Sequence, residues 1–291
     1  MSIESSVLPE FEASLVPAAN VASVPQRSPL RYPGGKTWLV PHIRKWLEDP
    51  VSTLIEPFAG GGIVALTAVM EELTNQALMV DLDRNLSSFW RAVLEHSEGL
   101  IERIQSFTLS QESVKRIDRE APQSILDHGF RTLVLNRTRY GGILTPDASL
   151  IKIGENGAGI SSRWYPETLV NRVRAIAEYS DKLLFCESDG VRFLELLCER
   201  PDTAFFVDPP YTAEGGKQAG TRLYAHNRVD HTRIFAALAE SQASFLMTYD
   251  YSAEIIKLVR KHEFHAARVE MKSRRHSKIP ELLITRNRLF T

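Results

Sequence analysis

The sequence predicts an α/β protein with an open, mostly parallel sheet of seven strands, helices on both faces and an antiparallel last strand. Three observations carry that expectation. Short apolar runs of strand character alternate with helix-period segments along most of the chain, the pattern of βαβ units. A glycine-rich turn stands directly between the first strong strand and an apolar helix. The last two strand segments lie close enough to form a hairpin, which reverses the final strand.

The elements follow in order. Residues 1–28 are rich in Ser, Ala and Pro and show no period, so a loose tail is expected there, without the basic start and apolar run of a signal peptide. The first strand is Thr53–Glu56, with Val51 just before it, and the turn Pro57–Phe58–Ala59–Gly60–Gly61–Gly62 leads into a helix from Ile63 to about Leu73. A second strand, Ala77–Val80, ends at Asp81, and a helix follows from Leu86 to about Leu94. Residues 86–163 differ in character: helical stretches such as Phe130–Arg139, then a weakly periodic glycine-rich run over 141–162. They are read as an inserted, mainly helical module. Alternation then resumes. Helix 166–179 precedes strand Lys182–Cys186, helix Val191–Glu199 precedes strand Ala204–Val207, and helix His231–Glu240 precedes strand Ser244–Thr248. Helix Ala253–Lys261, strand Phe264–Met271 and strand Glu281–Thr285 complete the seven-stranded count.

Composition removes several classes. The chain has 291 residues, 43% of them hydrophobic and 24% charged, enough for a large buried core and unlike a disordered chain. No apolar run reaches the length of a membrane span. Two cysteines, Cys186 and Cys198, make neither a zinc site nor a secreted disulfide framework, so an intracellular setting without a metal is expected. A net charge of −1 means that a nucleic-acid partner needs a local basic face.

Three motifs carry chemistry. A strand, the 56–62 glycine turn and a helix N-terminus form a nucleotide or nucleoside site, because glycines let a ligand approach the backbone. The spacing is not G-x-G-x-x-G, so pyrophosphate is not specially indicated. Asp81, at the end of the next strand, is placed to accept ribose hydroxyls. Arg31–Tyr32–Pro33–Gly34–Gly35–Lys36–Thr37 ends like a phosphate-binding loop but has Leu30 where the first glycine must be. It reads instead as a bend presenting Tyr32 and Lys36 to a pocket. Asp208–Pro209–Pro210–Tyr211 follows a very apolar strand, at the edge where open α/β sheets hold ligands. The prolines stiffen the turn and leave carbonyls free to accept. Beside the Asp208 carboxylate this makes an acceptor-rich notch suited to an exocyclic amine, and Tyr211 offers a face on which a base can stack.

These motifs in this order resemble the Dam-type N6-adenine DNA methyltransferases, the DPPY alpha group. Leu135–Asn136–Arg137 with Tyr140–Gly141–Gly142 resembles a segment of that family's target-recognition module, and Glu281–Thr285 resembles its closing strand. The resemblance spans about residues 29–291. It implies a Rossmann-like S-adenosylmethionine-dependent methyltransferase fold, with a catalytic domain over 29–85 and 164–291 and a target-recognition domain over 86–163. It implies S-adenosylmethionine as donor, lined by Tyr32 and Lys36 and cradled by Glu56, Pro57, Phe58, Gly60 and Gly62, with Asp81 on the ribose. Asp208 and the Pro209 carbonyl then hold the adenine amine, Pro210 stiffens the turn, and Tyr211 stacks on a flipped base. Double-stranded DNA is the implied partner. A monomer or weak dimer in the cytoplasm is expected, with a cognate restriction nuclease as the further candidate partner.

The DNA-facing surface is expected to use Arg137, Arg139, Tyr140 and Arg163 from the middle segment, and Lys272, Arg274 and Arg275 from the loop between the last two strands. Cytosine C5 chemistry is disfavoured, because it needs a reactive Cys and both cysteines read as buried structural thiols. His231, after Asp230, reads as a structural residue beside a helix cap. An N4-cytosine or RNA amino-methyltransferase stays open at this stage, because the notch does not read the ring. A non-catalytic DNA-binding relative also stays open. A dinucleotide oxidoreductase is weakened by the glycine spacing.

Overall fold

A computed structural model of the chain describes residues 14–16, 22–32, 34–200, 202–210, 229–272 and 278–288. Eight strands form one sheet: β1 (Ser14–Val16), β2 (Val51–Glu56), β3 (Thr74–Asp81), β4 (Leu183–Glu187), β5 (Thr203–Val207), β6 (Ser244–Asp250), β7 (His265–Lys272) and β8 (Lys278–Thr285). Their order is β1-β7-β8-β6-β5-β2-β3-β4. All neighbours are parallel except β8, which runs antiparallel between β6 and β7. All seven expected strands are present, and the reversed last strand is as read from the hairpin.

The eighth strand, β1, is a correction. Within the segment expected to be a loose tail, residues 14–16 pair in parallel with β7, Leu15 opposite Arg268. Residues after it are also tied down: Val24 is buried, and the Arg27 guanidinium lies 2.6 Å from Glu71. Three residues are too few to show a period, so nothing in the sequence separates this strand from a tail.

The helices are α1 (Val40–Trp46), α2 (Ile63–Met70), α3 (Arg84–Glu95), α4 (Ser97–Ser106), α5 (Gln111–Arg119), α6 (Ile125–Thr138), α7 (Pro166–Ala177), α8 (Gly190–Leu197), α9 (His231–Glu240) and α10 (Ala253–Lys261). Side chains alternate across a strand, so each strand supplies two cores. Leu54, Phe206, Leu246 and Leu283 face one core with α1 to α4, α6 and α7. Ile55, Phe205, Val207, Phe245, Met247 and Ile284 face the other with α8, α9 and α10. The result is three layers, with β5 wholly buried as a central parallel strand must be.

The helical segment between β3 and β4 grows from one of these layers. α3 lies against β3 and β4 and also against α6. One core runs from Leu54 and Phe206 through to Leu133 and Trp164. Short turns at 140–142, 155–157 and 159–163 and a bridge between Arg139 and Leu150 give the glycine-rich run its order.

What positions the site is the connection pattern. From β2 the chain builds outward through β3 and β4, then returns to lay β5 on the other side of β2 and builds away through β6. The strand order reverses between β2 and β5, and open sheets bind ligands at the carboxyl ends of such a pair. Among the described residues no helix is long and apolar enough to cross a membrane.

Candidate active site

Glu56 ends β2 and Asp208 follows β5, so the switch point is flanked by carboxylates. A cleft of about 1690 Å³ opens there. It is lined by Tyr32 and Lys36, by the turn after β2, by Asp81 after β3, and by Asp208, Pro209 and Pro210.

The turn on the β2 side is held from several directions. Glu56 is buried, and its carboxylate accepts the Ala65 N–H at 3.0 Å, tying the strand end to the first turn of α2. Burial pushes the Glu56 carboxyl well above its ordinary pKa against that hydrogen bond, and the charges of Asp208 and Asp81 push the same way. Gly60 has φ +48°, and a Cβ there would lie 2.5 Å from the Tyr32 ring. Only glycine lets the aromatic ring rest on the turn. The Gly60 N–H donates to Asp81 at 3.0 Å, and its carbonyl accepts the Trp90 indole N–H at 3.0 Å. Phe58 is half-buried against the second core.

Asp81 accepts two backbone N–H bonds, from Gly60 and from Asp83 at 3.0 Å. Burial raises its pKa to about 6 despite those bonds. The Leu82 N–H acts on it as well, and with roughly four lone-pair positions on a carboxylate this still leaves room for a ligand hydroxyl.

On the β5 side, Asp208 is gripped at both oxygens. One accepts the Thr248 hydroxyl at 2.6 Å, and the other lies 2.8 Å from the Lys36 ammonium. Lys36 is buried and also donates to the Gly34 carbonyl at 3.0 Å. Burial pulls its pKa down, but the carboxylates of Asp208 and Glu281 outweigh burial and hold it raised. Lys36 thus lines the cleft as expected, with its charge on the amine notch. Pro209 and Pro210 line the cleft beside Asp208. Tyr211 lies outside the described residues.

Of the residues of the middle segment expected to face DNA, Arg137, Tyr140 and Arg163 line the cleft, and Arg139 does not. Arg139 is 4% exposed; two of its guanidinium nitrogens grip Asp118 at 2.9 Å and the carbonyls of Leu144 and Thr145. It braces the glycine-rich run and cannot reach a phosphate. Arg137 lines the cleft but is also buried, donating to the carbonyls of Arg163 and Pro29. Burial, with Arg172 nearby, lowers its pKa to about 10. Arg163 is half-buried and pairs with Glu155 at 3.0 Å. Tyr140 is 72% exposed on the cleft rim. The backbone of Lys272 closes β7 opposite Lys278, while Arg274 and Arg275 lie outside the described residues.

Asn136, the middle residue of the Leu135–Arg137 segment, is a staple. Its side-chain amide accepts from the Arg31 N–H at 2.7 Å and donates to the carbonyls of Arg31 and Gly142. It fixes the loop carrying Tyr32 and Lys36 to the helical segment. Thr248, bonded to Asp208, and Glu281, which lines the cleft, stand outside the motifs; only the register of β6 and β8 brings them there. Their one sequence signal is polarity inside otherwise apolar strands. His231 is buried, with Nδ1 3.1 Å from the Tyr249 hydroxyl, while Asp230 caps α9, as expected. Cys198 is buried, but Cys186 is only half-buried on β4.

Strand order and direction define a Rossmann-like α/β fold of the kind S-adenosylmethionine-dependent methyltransferases use. More particularly, residues 32–120 match the family model of D12 class N6 adenine-specific DNA methyltransferases, so this segment is similar to that class. It is 25% identical over 281 residues to the Type II methyltransferase M1.LlaDCHI of Lactococcus lactis subsp. cremoris, covering 88% of this chain and 93% of the relative. It is 24% identical over 221 residues to a DNA adenine methylase of Haemophilus influenzae, covering 73% of each. Among solved structures, an rRNA methyltransferase, aviRa, from Streptomyces viridochromogenes is similar at 15% identity and a TM-score of 0.41, covering 92% of this chain and 93% of that one. The fold assignment here rests on strand order and direction.

Proposed function

We propose that this chain transfers a methyl group from S-adenosylmethionine to the exocyclic N6 amine of adenine in double-stranded DNA, on a base turned out of the helix. One observation carries the reading: the glycine turn and the Asp208 notch open into a single cleft at the switch point. The residues fit the donor. Gly60 lets the Tyr32 ring rest on the turn, so an aromatic face lines the cleft beside it. The carboxyls of Glu56, Asp81, Asp83, Asp189 and Asp208 around the cleft suit a cation and ribose hydroxyls. The 56–62 turn, Tyr32 and Asp81 would hold the donor.

When bound, S-adenosylmethionine supplies a methyl carbon made electrophilic by its sulfonium. The chain's own part is positional and electrostatic. An aromatic amine is a weak nucleophile because its lone pair is delocalised into the ring. Hydrogen bonds from its protons to Asp208 and to the Pro209 carbonyl favour a pyramidal nitrogen and the positive charge that develops on it. Thr248 and Lys36 hold the Asp208 carboxylate in place before the base arrives, so little reorganisation is needed. Tyr211 serves as the stacking face, and turning the base out costs a few kcal/mol that stacking partly offsets. Tyr140, Arg163, Lys272, Arg274 and Arg275 contact the DNA. The reading extends to a restriction–modification setting with a cognate nuclease, in the cytoplasm, with the chain as a monomer or weak dimer.

The test is transfer of labelled methyl to mixed-sequence duplex DNA, then digestion to nucleosides and mass spectrometry. N6-methyladenine is the expected product. N4-methylcytosine overturns the base assignment, and product on RNA alone overturns the polymer. No product, with donor binding intact by calorimetry, overturns catalysis itself.

A further inference from the structure

Strand alternation gathers several charged and polar residues on one face of the sheet. Continuing from Phe206, Leu246 and Leu283, which all face the first core, the same parity gives Asp208, then Thr248 and Asp250, then Glu281. Register places Glu281 opposite Asp250 on β6 and Val269 on β7. Lys36 reaches over this face and pairs with Asp208. Glu281 lines the same cleft, is 9% exposed, and its Oε2 is buried with no hydrogen-bond partner among the described residues. An unpartnered buried carboxyl oxygen is costly, and the fold retains it where its charge acts on the Lys36 ammonium.

We propose that Glu281 is a positioning residue of the methyl transfer, whose charge competes with Asp208 for the Lys36 ammonium and so sets how freely Asp208 accepts the substrate amine. The inference rests on the methyltransferase reading and names a residue that reading does not use. When Glu281 is neutral, Lys36 serves Asp208 alone and blunts it as an acceptor. When Glu281 is ionised, the ammonium is shared, and a second negative charge stands near the nitrogen that becomes positive. The groups acting on Glu281 are Lys36 from the loop before α1, Asp208 after β5 and Asp250 on β6; Glu56 and Asp81 line the same cleft. On β7, Arg268 lies over the Tyr251 ring. Burial, with Asp208 and Asp250 adding to it and Lys36 opposing, brings the Glu281 pKa to about 7, so the switch falls within a working pH range.

The test has two arms. In the ligand-free protein, carboxyl-labelled glutamate is followed by NMR against pH. We expect one resonance, absent in Glu281→Gln, to titrate near neutrality and to move to higher pH in Lys36→Met. If no such resonance titrates above pH 5.5, the proposal fails. In the second arm kcat is measured for wild type and Glu281→Gln at pH 6 and pH 8.5, with melting temperatures to show that both are folded. The wild-type to variant ratio should rise about tenfold between the two, the effect of one pKa unit of perturbation, with the donor KM unmoved and Glu281→Asp partly restoring the rate. An unchanged ratio overturns the proposal. Absence of methylated base from wild type at both pH values instead overturns the methyltransferase reading, and the NMR arm still judges the Glu281 assignment.

Discussion

Lys36 and Thr248 occupy both oxygens of Asp208, and this changes how Asp208 should be tested. Removing the carboxylate with alanine leaves the buried Lys36 ammonium without its ion-pair partner, and breaking a buried pair from one side costs about 3–5 kcal/mol. Lost activity in Asp208→Ala would therefore mix chemistry with folding. Asp208→Asn keeps the shape and an acceptor for the Thr248 hydroxyl while removing the charge; it also breaks the ion pair with Lys36, so its melting temperature is measured beside its rate. It should lower kcat by about 10² or more, the order seen when one group stabilising developing charge is lost. Donor affinity by calorimetry should stay within a few-fold, and near-normal turnover would end the amine-notch reading. Thr248→Val, isosteric at a fully buried site, removes only the hydroxyl that orients Asp208. It should cost about tenfold in kcat, or ~1.4 kcal/mol. A Thr248→Val enzyme with wild-type kcat would mean that Asp208 needs no such orientation.

At the scale of elements, the helical segment is fixed to the sheet by a close approach of two helices. Gly129 in α6 faces α3 so tightly that a Cβ would overlap the Ala92 methyl and sit 2.7 Å from the Ser88 carbonyl oxygen. Alanine is normally the better helix former by about 1 kcal/mol, so propensity predicts that Gly129→Ala stabilises. Overpacking predicts the reverse by about 1–3 kcal/mol, and the overlap with backbone decides for overpacking. Urea unfolding should show a lower midpoint with an unchanged slope; a higher midpoint would mean that α3 and α6 part freely. The same pair shows what the sequence makes legible. Seven strands were readable because each repeats buried residues at period two or as a continuous apolar run. The glycine turn and Asp208 were readable because each directly follows such a strand. β1 was not, with three residues and no period. Arg139, expected to face DNA, lies inside the protein, because charge says nothing of burial until the partners are known. Asp118 on α5 and the carbonyls of Leu144 and Thr145 come to it only through helix packing. Thr248 and Glu281 depend on the register of β6 with β8, which local pattern does not determine.

The whole molecule sets a wall of carboxylates around one cleft, and this makes its stability depend on pH in a way that one group can report. Asp81 has a folded pKa of about 6, against roughly 3.9 for an unfolded carboxylate. Between those values the folded chain binds a proton that the unfolded chain has released. Stability therefore falls as pH rises through that window, and the penalty is complete above pH 6. Glu281 acts in the same direction, with its window reaching to about pH 7. Four histidines oppose them. Burial lowers the pKa of His42, His128, His231 and His262, so their contribution to stability is lost as pH falls below about 6.5. Absolute melting curves mix these slopes, but a difference isolates one of them. Asp81→Asn keeps an acceptor for the Gly60 N–H and cannot ionise. Its stability relative to wild type should therefore improve as pH rises from 4 to 6 and then stay level, by urea unfolding at several pH values. A difference that does not change with pH would mean that Asp81 is solvated in the folded chain. The same slope bears on function. A cationic donor in the cleft favours the ionised carboxylates, so S-adenosylmethionine should raise the wild-type melting temperature more at pH 7.5 than at pH 5.5. The increment should depend less on pH in Asp81→Asn. The carboxylates that destabilise the empty cleft are then the groups whose charge binding the donor makes favourable.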